Sequence, residues 1–115
     1  MRDMLGRLKK VYATDIIAVS YTGSEICNFE RSEAFWIYAV DEDKVVRMQI
    51  LSVYSKDMDD TIDQLKACRI DGLICRNYGP RAMSKLKAAG FSLYSFDGGA
   101  RAAVNAFAAG KLQEM

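Results

Sequence analysis

Histidine is absent from all 115 residues. That removes Ser-His-Asp and Cys-His catalysis, every imidazole-ligated metal site and the usual titration near neutral pH. Cysteine occurs only three times, as Cys27, Cys68 and Cys75, an odd number at spacings unlike a zinc module or a disulfide framework. No apolar run is longer than Ala34–Val40, far short of the roughly 18 residues that a bilayer span needs. The N-terminus is basic, but Asp15 interrupts before a signal-peptide core can form. Charge of one sign is lacking too: the net value is +1, with no excess to coat nucleic acid. The expectation is a reduced, cytoplasmic protein with neither a membrane nor a nucleic-acid partner.

What is present suits one α/β domain. Half of the residues are apolar and 27% charged, a balance that supports a core and argues against disorder. A chain of this length buries roughly two-thirds of its unfolded surface. Residues 1–13 carry +3 and repeat apolar side chains (Met1, Met4, Leu5, Leu8, Val11, Tyr12) at helical spacing. They read as an amphipathic extension that packs on the domain or on a second subunit, ahead of a domain over residues 14–115.

Within that domain, Ile16–Tyr21 is a compact, largely apolar run that reads as a buried strand. Residues 22–32 are too polar and irregular for a strand and too long for a tight turn, and long loops of this kind often carry function. Ala34–Val40 and Val45–Val53 flank Asp41-Glu42-Asp43-Lys44 and read as a β-hairpin. In its second arm Val46, Met48 and Ile50 alternate with Arg47 and Gln49, so that arm belongs at a sheet edge with one face wet. Helical periodicity then appears at Met58, Ile62, Leu65 and Cys68, after Asp57, Asp59 and Asp60, which suit a helix start. Gly72–Cys75 is a short buried strand, Pro80 starts a helix that Gly90 ends, Phe91–Phe96 is a strand, and Ala100–Ala109 is a helix closed by Gly110. This order predicts a mixed five-stranded sheet, one strand antiparallel, with helices on both faces.

Ligands of open α/β sheets sit outside the carboxyl ends of the strands. Two loops qualify. One follows Tyr21 and carries Cys27, Asn28 and Arg31. The other, Cys75-Arg76-Asn77-Tyr78-Gly79-Pro80-Arg81, runs into a helix whose free N–H groups and dipole favour an anion. If their strands are neighbours, the loops face each other across one crevice. Arg31, Arg76, Arg81 and the N–H groups from Gly79 to Ala82 then supply charge, with Asn28 and Tyr78 as hydrogen-bonding groups. Cys27 stands in a polar loop near Arg31, which favours an accessible thiolate. Cys75 suits a core place or a ligand place equally, and Cys68 lies on the apolar side of its helix. Asp57, Asp59, Asp60 and Asp63 read as helix capping and solvated surface. No G-x-x-x-x-G-K-[ST], G-x-G-x-x-G or G-x-S-x-G motif occurs, and no general base is visible near Cys27. Ile16–Ser20 offers none of the carboxylates that a two-metal nuclease places on its first strand.

The stretch from Asp71 to Ala82, with its Gly79-Pro80-Arg81-Ala82, resembles the "vD-x-vi-x-x-x-x-G-P-R-A" segment of the dinitrogenase iron–molybdenum cofactor biosynthesis family, which includes NifX- and NafY-like domains and the C-terminal domain of NifB-like proteins. Ala89–Tyr94 and Ala103–Leu112 resemble its ending, and Asn28-Phe29-Glu30-Arg31-Ser32 its "H-F-G-R-A". The likeness runs from about Asp15 to Leu112. It implies a ribonuclease-H-like fold without nuclease activity and a non-catalytic role in binding or carrying an anionic metal–sulfur cluster, such as an iron–molybdenum cofactor precursor. Arginines, backbone N–H groups and thiolates suit such a ligand. Asn28 stands where the family has histidine and Glu30 where it has glycine. Ligation in this chain then falls to Cys27 and Cys75, or is lost. In the latter case the chain is an interaction module that uses the Val45–Val53 edge, or residues 2–12, to form a homodimer or dock on a partner.

Overall fold

The computed structural model describes residues 15–23, 25–41, 44–54 and 57–115, apart from the side chains of Arg47 and Met48. The amphipathic reading of residues 1–13 therefore lies outside the described residues. Strand β1 (Asp15–Thr22) is followed by a two-residue strand β2 (Glu25–Ile26), a 3-10 turn (Phe29–Arg31) and the hairpin strands β3 (Ala34–Asp41) and β4 (Lys44–Ser52). Helix α1 (Met58–Ala67), strand β5 (Gly72–Cys75), helix α2 (Pro80–Ala88), strand β6 (Ser92–Ser95) and helix α3 (Ala100–Ala108) complete the order.

The sheet runs β4-β3-β1-β5-β6, with β2 paired to β1 off that path. β1, β5 and β6 are parallel neighbours, whereas β3 is antiparallel to both β1 and β4. Along the five-strand path only β3 is reversed, as a hairpin entering a crossover sheet requires. The sixth strand was not expected: Glu25 and Ile26 pair back onto Thr22 and Tyr21. A two-residue strand is too short for periodicity to reveal, and only the partner strand creates it.

β1 and β5 sit in the interior, and the side chains of Ile17–Ser20 and of Gly72–Cys75 are buried on both faces. On one face Ala18, Phe35, Ile37, Leu73, Cys75 and Leu93 pack under Ile62 and Leu65 of α1 and Ala82 and Leu86 of α2. On the other, Ile17, Val19, Tyr38, Val40 and Ile74 pack under Ala100, Ala103 and Val104 of α3. Local signals hold these helices. Asp57 caps α1 by accepting from Asp59 N at 2.9 Å, and Pro80 occupies the first turn of α2. Lys85 of α2 donates to Asp59 of α1 at 2.7 Å and holds that carboxyl below the usual aspartate range.

β4 is the edge strand, but its expected alternation does not survive. A register shift between Ile37 and Tyr38 breaks the period of two. Val46 pairs with Ala39 and Ile50 with Trp36, so the two exposed side chains point to opposite faces. A bulge of this kind is set by strand pairing, which a single strand's pattern does not contain.

Candidate functional site

The adjacency of β1 and β5 brings the two expected loops together and closes them on one another. Arg76 N donates to Cys27 O at 2.9 Å, and Phe29 N donates to Asn77 O at 3.0 Å. Ser20, fully buried at the end of β1, donates its hydroxyl to the same Cys27 carbonyl at 2.8 Å. Ser95 Oγ donates to Arg76 O at 2.7 Å and fixes the second loop from β6. Just after the 3-10 turn, Glu33 N donates to Tyr21 O of β1, and Val53 N, just beyond β4, donates to Glu33 O.

This closure leaves two clefts, one on each side of the turn. The smaller, about 420 Å³, is lined by Thr22, Glu25, Ile26, Cys27, Asn28, Arg31 and Arg76. Four of the eight residues expected from sequence thus converge there: Cys27, Asn28, Arg31 and Arg76. Arg76 approaches Asp97 at 3.6 Å, with both side chains mostly in solvent, a pairing worth little. Arg31 makes no ion pair among the described residues. Among the cleft's lining side chains two are cationic, Arg31 and Arg76, and one is a carboxylate, Glu25, while the carboxylates of Asp97 and Glu33 act on it from outside.

The other four stand elsewhere. Cys75 is completely buried in the core, and desolvation pushes its thiol up to about 12. Tyr78 shares its hydroxyl proton between Leu73 O at 2.8 Å and Tyr94 O at 2.7 Å, so it ties β5 to β6. Burial pushes its phenol above the usual range. Arg81 lines neither cleft, and its charge acts on Asp59 of α1. Gly79 N, the outermost amide of α2, is taken by Glu30 Oε2 at 2.7 Å.

Cys27 lines the cleft but is not the accessible thiolate that its polar neighbours suggested. It is 6% exposed, and burial raises its thiol. The nearby charge that acts on it is that of Glu33, which raises it further, and not that of Arg31. A metal bound at Cys27 must displace a proton, so capture there strengthens with rising pH. Iodoacetamide in excess is expected to label the half-buried Cys68 first, Cys27 later and Cys75 only on unfolding, as read by peptide mass. Equal rates at Cys27 and Cys68 would show that Cys27 is open.

The larger cleft, about 650 Å³, had no counterpart in the sequence reading. Phe29, Glu30, Arg31, Ser32 and Glu33 form one wall, with Val53, Tyr54, Met58 and Thr61 opposite. Residues some 25 positions apart meet here only because β4 ends beside the turn where α1 begins. Arg31 lines both clefts. Among the described residues, no three His, Cys, Asp or Glu side chains converge as a metal-ligand set. The smaller cleft can therefore attract an anion by charge and offer one thiol, but it does not enclose a bare metal ion.

Solved structures share this architecture. A candidate dinitrogenase from Methanocaldococcus jannaschii superposes with a TM-score of 0.71 at 19% identity, covering 89% of this chain and 95% of that one. The apo orange protein from Desulfovibrio gigas gives 0.69 at 20% identity, covering 88% and 92%. A NifB candidate from Thermotoga gives 0.66 at 26% identity, covering 87% and 92%. No curated protein matches the chain. Residues 15–110 match the family described as dinitrogenase iron-molybdenum cofactor, and the chain belongs to that family.

Proposed function

We propose that the chain is a non-catalytic binding or carrier protein for an anionic metal–sulfur cluster of the iron–molybdenum-cofactor kind, acting in the cytoplasm. The observation that carries this reading is the pairing of Arg31 and Arg76 in one cleft at the carboxyl ends of two parallel neighbours, β1 and β5. Such clusters are anionic and rich in sulfur, so guanidinium groups match their surface. Asn28 supplies hydrogen bonds, and Cys27 supplies a thiolate once a metal displaces its proton. Cys75 is a further thiol behind the cleft wall, which a metal would reach only after that wall opens. Gly79, Tyr78 and Arg81 support the reading as the frame of the second loop. Family membership favours a carrier over an enzyme. The strand order β4-β3-β1-β5-β6, with only β3 reversed along it, supports a ribonuclease-H-like assignment of the fold.

A second reading, an interaction module that has lost the cluster, is favoured by the edge strand. Val46 and Ile50 of β4 and Tyr54 just beyond it are exposed by 61%, 50% and 85%. An edge with apolar side chains invites pairing with a second copy or a partner.

One experiment separates the two. Protein purified anaerobically from its own host is analysed for iron, molybdenum, copper and sulfide and by absorbance. The carrier reading expects a coloured protein with stoichiometric metal. A colourless, metal-free protein that also takes up no offered cluster would overturn it in favour of the interaction module.

A further inference from the structure

Two of the three thiols meet behind the wall of the smaller cleft. β1 and β5 run parallel with Val19 beside Ile74, and one step further the register sets Ser20 beside Cys75. Both residues are fully buried. Cys27 folds back over them. Its carbonyl accepts from Ser20 Oγ at 2.8 Å and, at 2.9 Å, from the N–H of Arg76, the residue after Cys75. The Ser20 hydroxyl lies within hydrogen-bonding reach of both sulfurs, so Cys27 and Cys75 flank one oxygen. Of the two, only Cys27 lines the cleft. Cys68 stands apart, accepting from Gln49 Nε2 at 3.3 Å.

We propose that Cys27 and Cys75 form a two-coordinate site for one soft monovalent metal ion of the copper(I) class, entered from the smaller cleft through Cys27. The donor set selects the ion. Among the described residues no three Cys, Asp or Glu side chains converge, which denies zinc its tetrahedral set and calcium or magnesium a shell of oxygens. A soft ion that two sulfurs satisfy remains. Burial raises both thiols, so the ion must be thiophilic enough to displace two protons as its two bonds to sulfur form. The product carries one negative charge, a small one for a buried site, and the guanidinium groups of Arg31 and Arg76 line the cleft that Cys27 reaches. The site goes beyond the cluster-carrier reading and stands without it.

The test is an anaerobic titration with copper(I) in competition with a chromophoric chelator. The wild type and Cys68→Ser should each take one ion, with a sulfur-to-copper band in the ultraviolet. Cys27→Ser and Cys75→Ala should bind about a hundred-fold or more weakly, since each removes one of two ligands. Bound copper should also protect Cys27, but not Cys68, from iodoacetamide. X-ray absorption of the copper-loaded wild type should show two sulfur neighbours, a readout that holds even if Cys75→Ala fails to fold. No copper uptake, a third or a non-sulfur neighbour, or wild-type affinity in a folded Cys75→Ala overturns the site. Tetrathiomolybdate, a dianion of molybdenum and sulfide, is titrated separately as a probe of the anion cleft. Uptake of copper without it keeps this site and overturns the cluster reading; the reverse overturns this site alone.

Discussion

Exchanging Arg31 and Arg76 together for glutamate is expected to weaken tetrathiomolybdate binding by about a hundred-fold or more and to leave the fold intact. Each exchange turns an attraction for the dianion into a repulsion. At separations of several ångströms near a protein surface, such a reversal costs on the order of 1–4 kcal/mol, and tenfold in affinity is about 1.4 kcal/mol. Stability should change little, because both side chains are exposed and the Arg76–Asp97 pair at 3.6 Å lies in solvent. The bonds that hold the loop at Arg76 come from its backbone: its N–H donates to Cys27 O, and its carbonyl accepts from Ser95 Oγ. Arg81→Glu is the matched control. Arg81 lines neither cleft, so its reversal should shift the affinity by only a few-fold. Titration calorimetry reads all three proteins. A loss for Arg81→Glu equal to that of the pair would move the anion site from the smaller cleft to the start of α2.

Leu73→Ala should be the most damaging single truncation, at about 2–5 kcal/mol. Leu73 is wholly buried in β5 and belongs to the cluster that joins the sheet to α1 and α2. Its strand neighbours are Ala18 of β1 and Leu93 of β6, both in the same cluster, so the cavity opens at the centre of the sheet where little can collapse into it. Domains of this size hold about 5–15 kcal/mol in total, so a large share of the stability would go. The expected record is a lower urea midpoint at unchanged slope. A loss under about 1 kcal/mol would show that β5 is not packed from above as described. Because β5 leads directly into Cys75 and Arg76, the same variant should also loosen the cleft.

How much of this was legible in the sequence depends on how far apart the cooperating residues lie. Periodicity, the acidic start at Asp57, Pro80 and the helix-ending glycines located all three α-helices of the described residues, because these signals act within one or two turns. The apolar runs located the five long strands in the same way, and the expectation of one reversed strand among them followed from hairpin and crossover geometry. The family resemblance, carried by Gly79-Pro80-Arg81-Ala82 and its flanks, spans nearly the same residues as the match at 15–110.

The site was read only in part. Placing Cys27, Asn28, Arg31 and Arg76 near one crevice required β1 and β5 to be neighbours, which the sequence made conditional and strand pairing decided. The accessibility of Cys27 was inferred from polar neighbours in sequence. In the fold the hydroxyls of Ser20 and Ser32 lie against its thiol, which is buried and raised. Glu30 registered only as a departure from the family's glycine, because its partner Gly79 lies 49 positions away.

By itself, then, the sequence determined every described element but β2, the class of fold, the family and the chemical means available: arginines, a few thiols and no imidazole. Tertiary structure alone decided which of these meet. It buried Cys75, spent Tyr78 on the joint between β5 and β6, turned Arg81 away, and set Glu30 on the Gly79 amide. The physical reason is that periodicity and turn chemistry are local, whereas burial and electrostatic pairing are properties of surfaces made by distant segments.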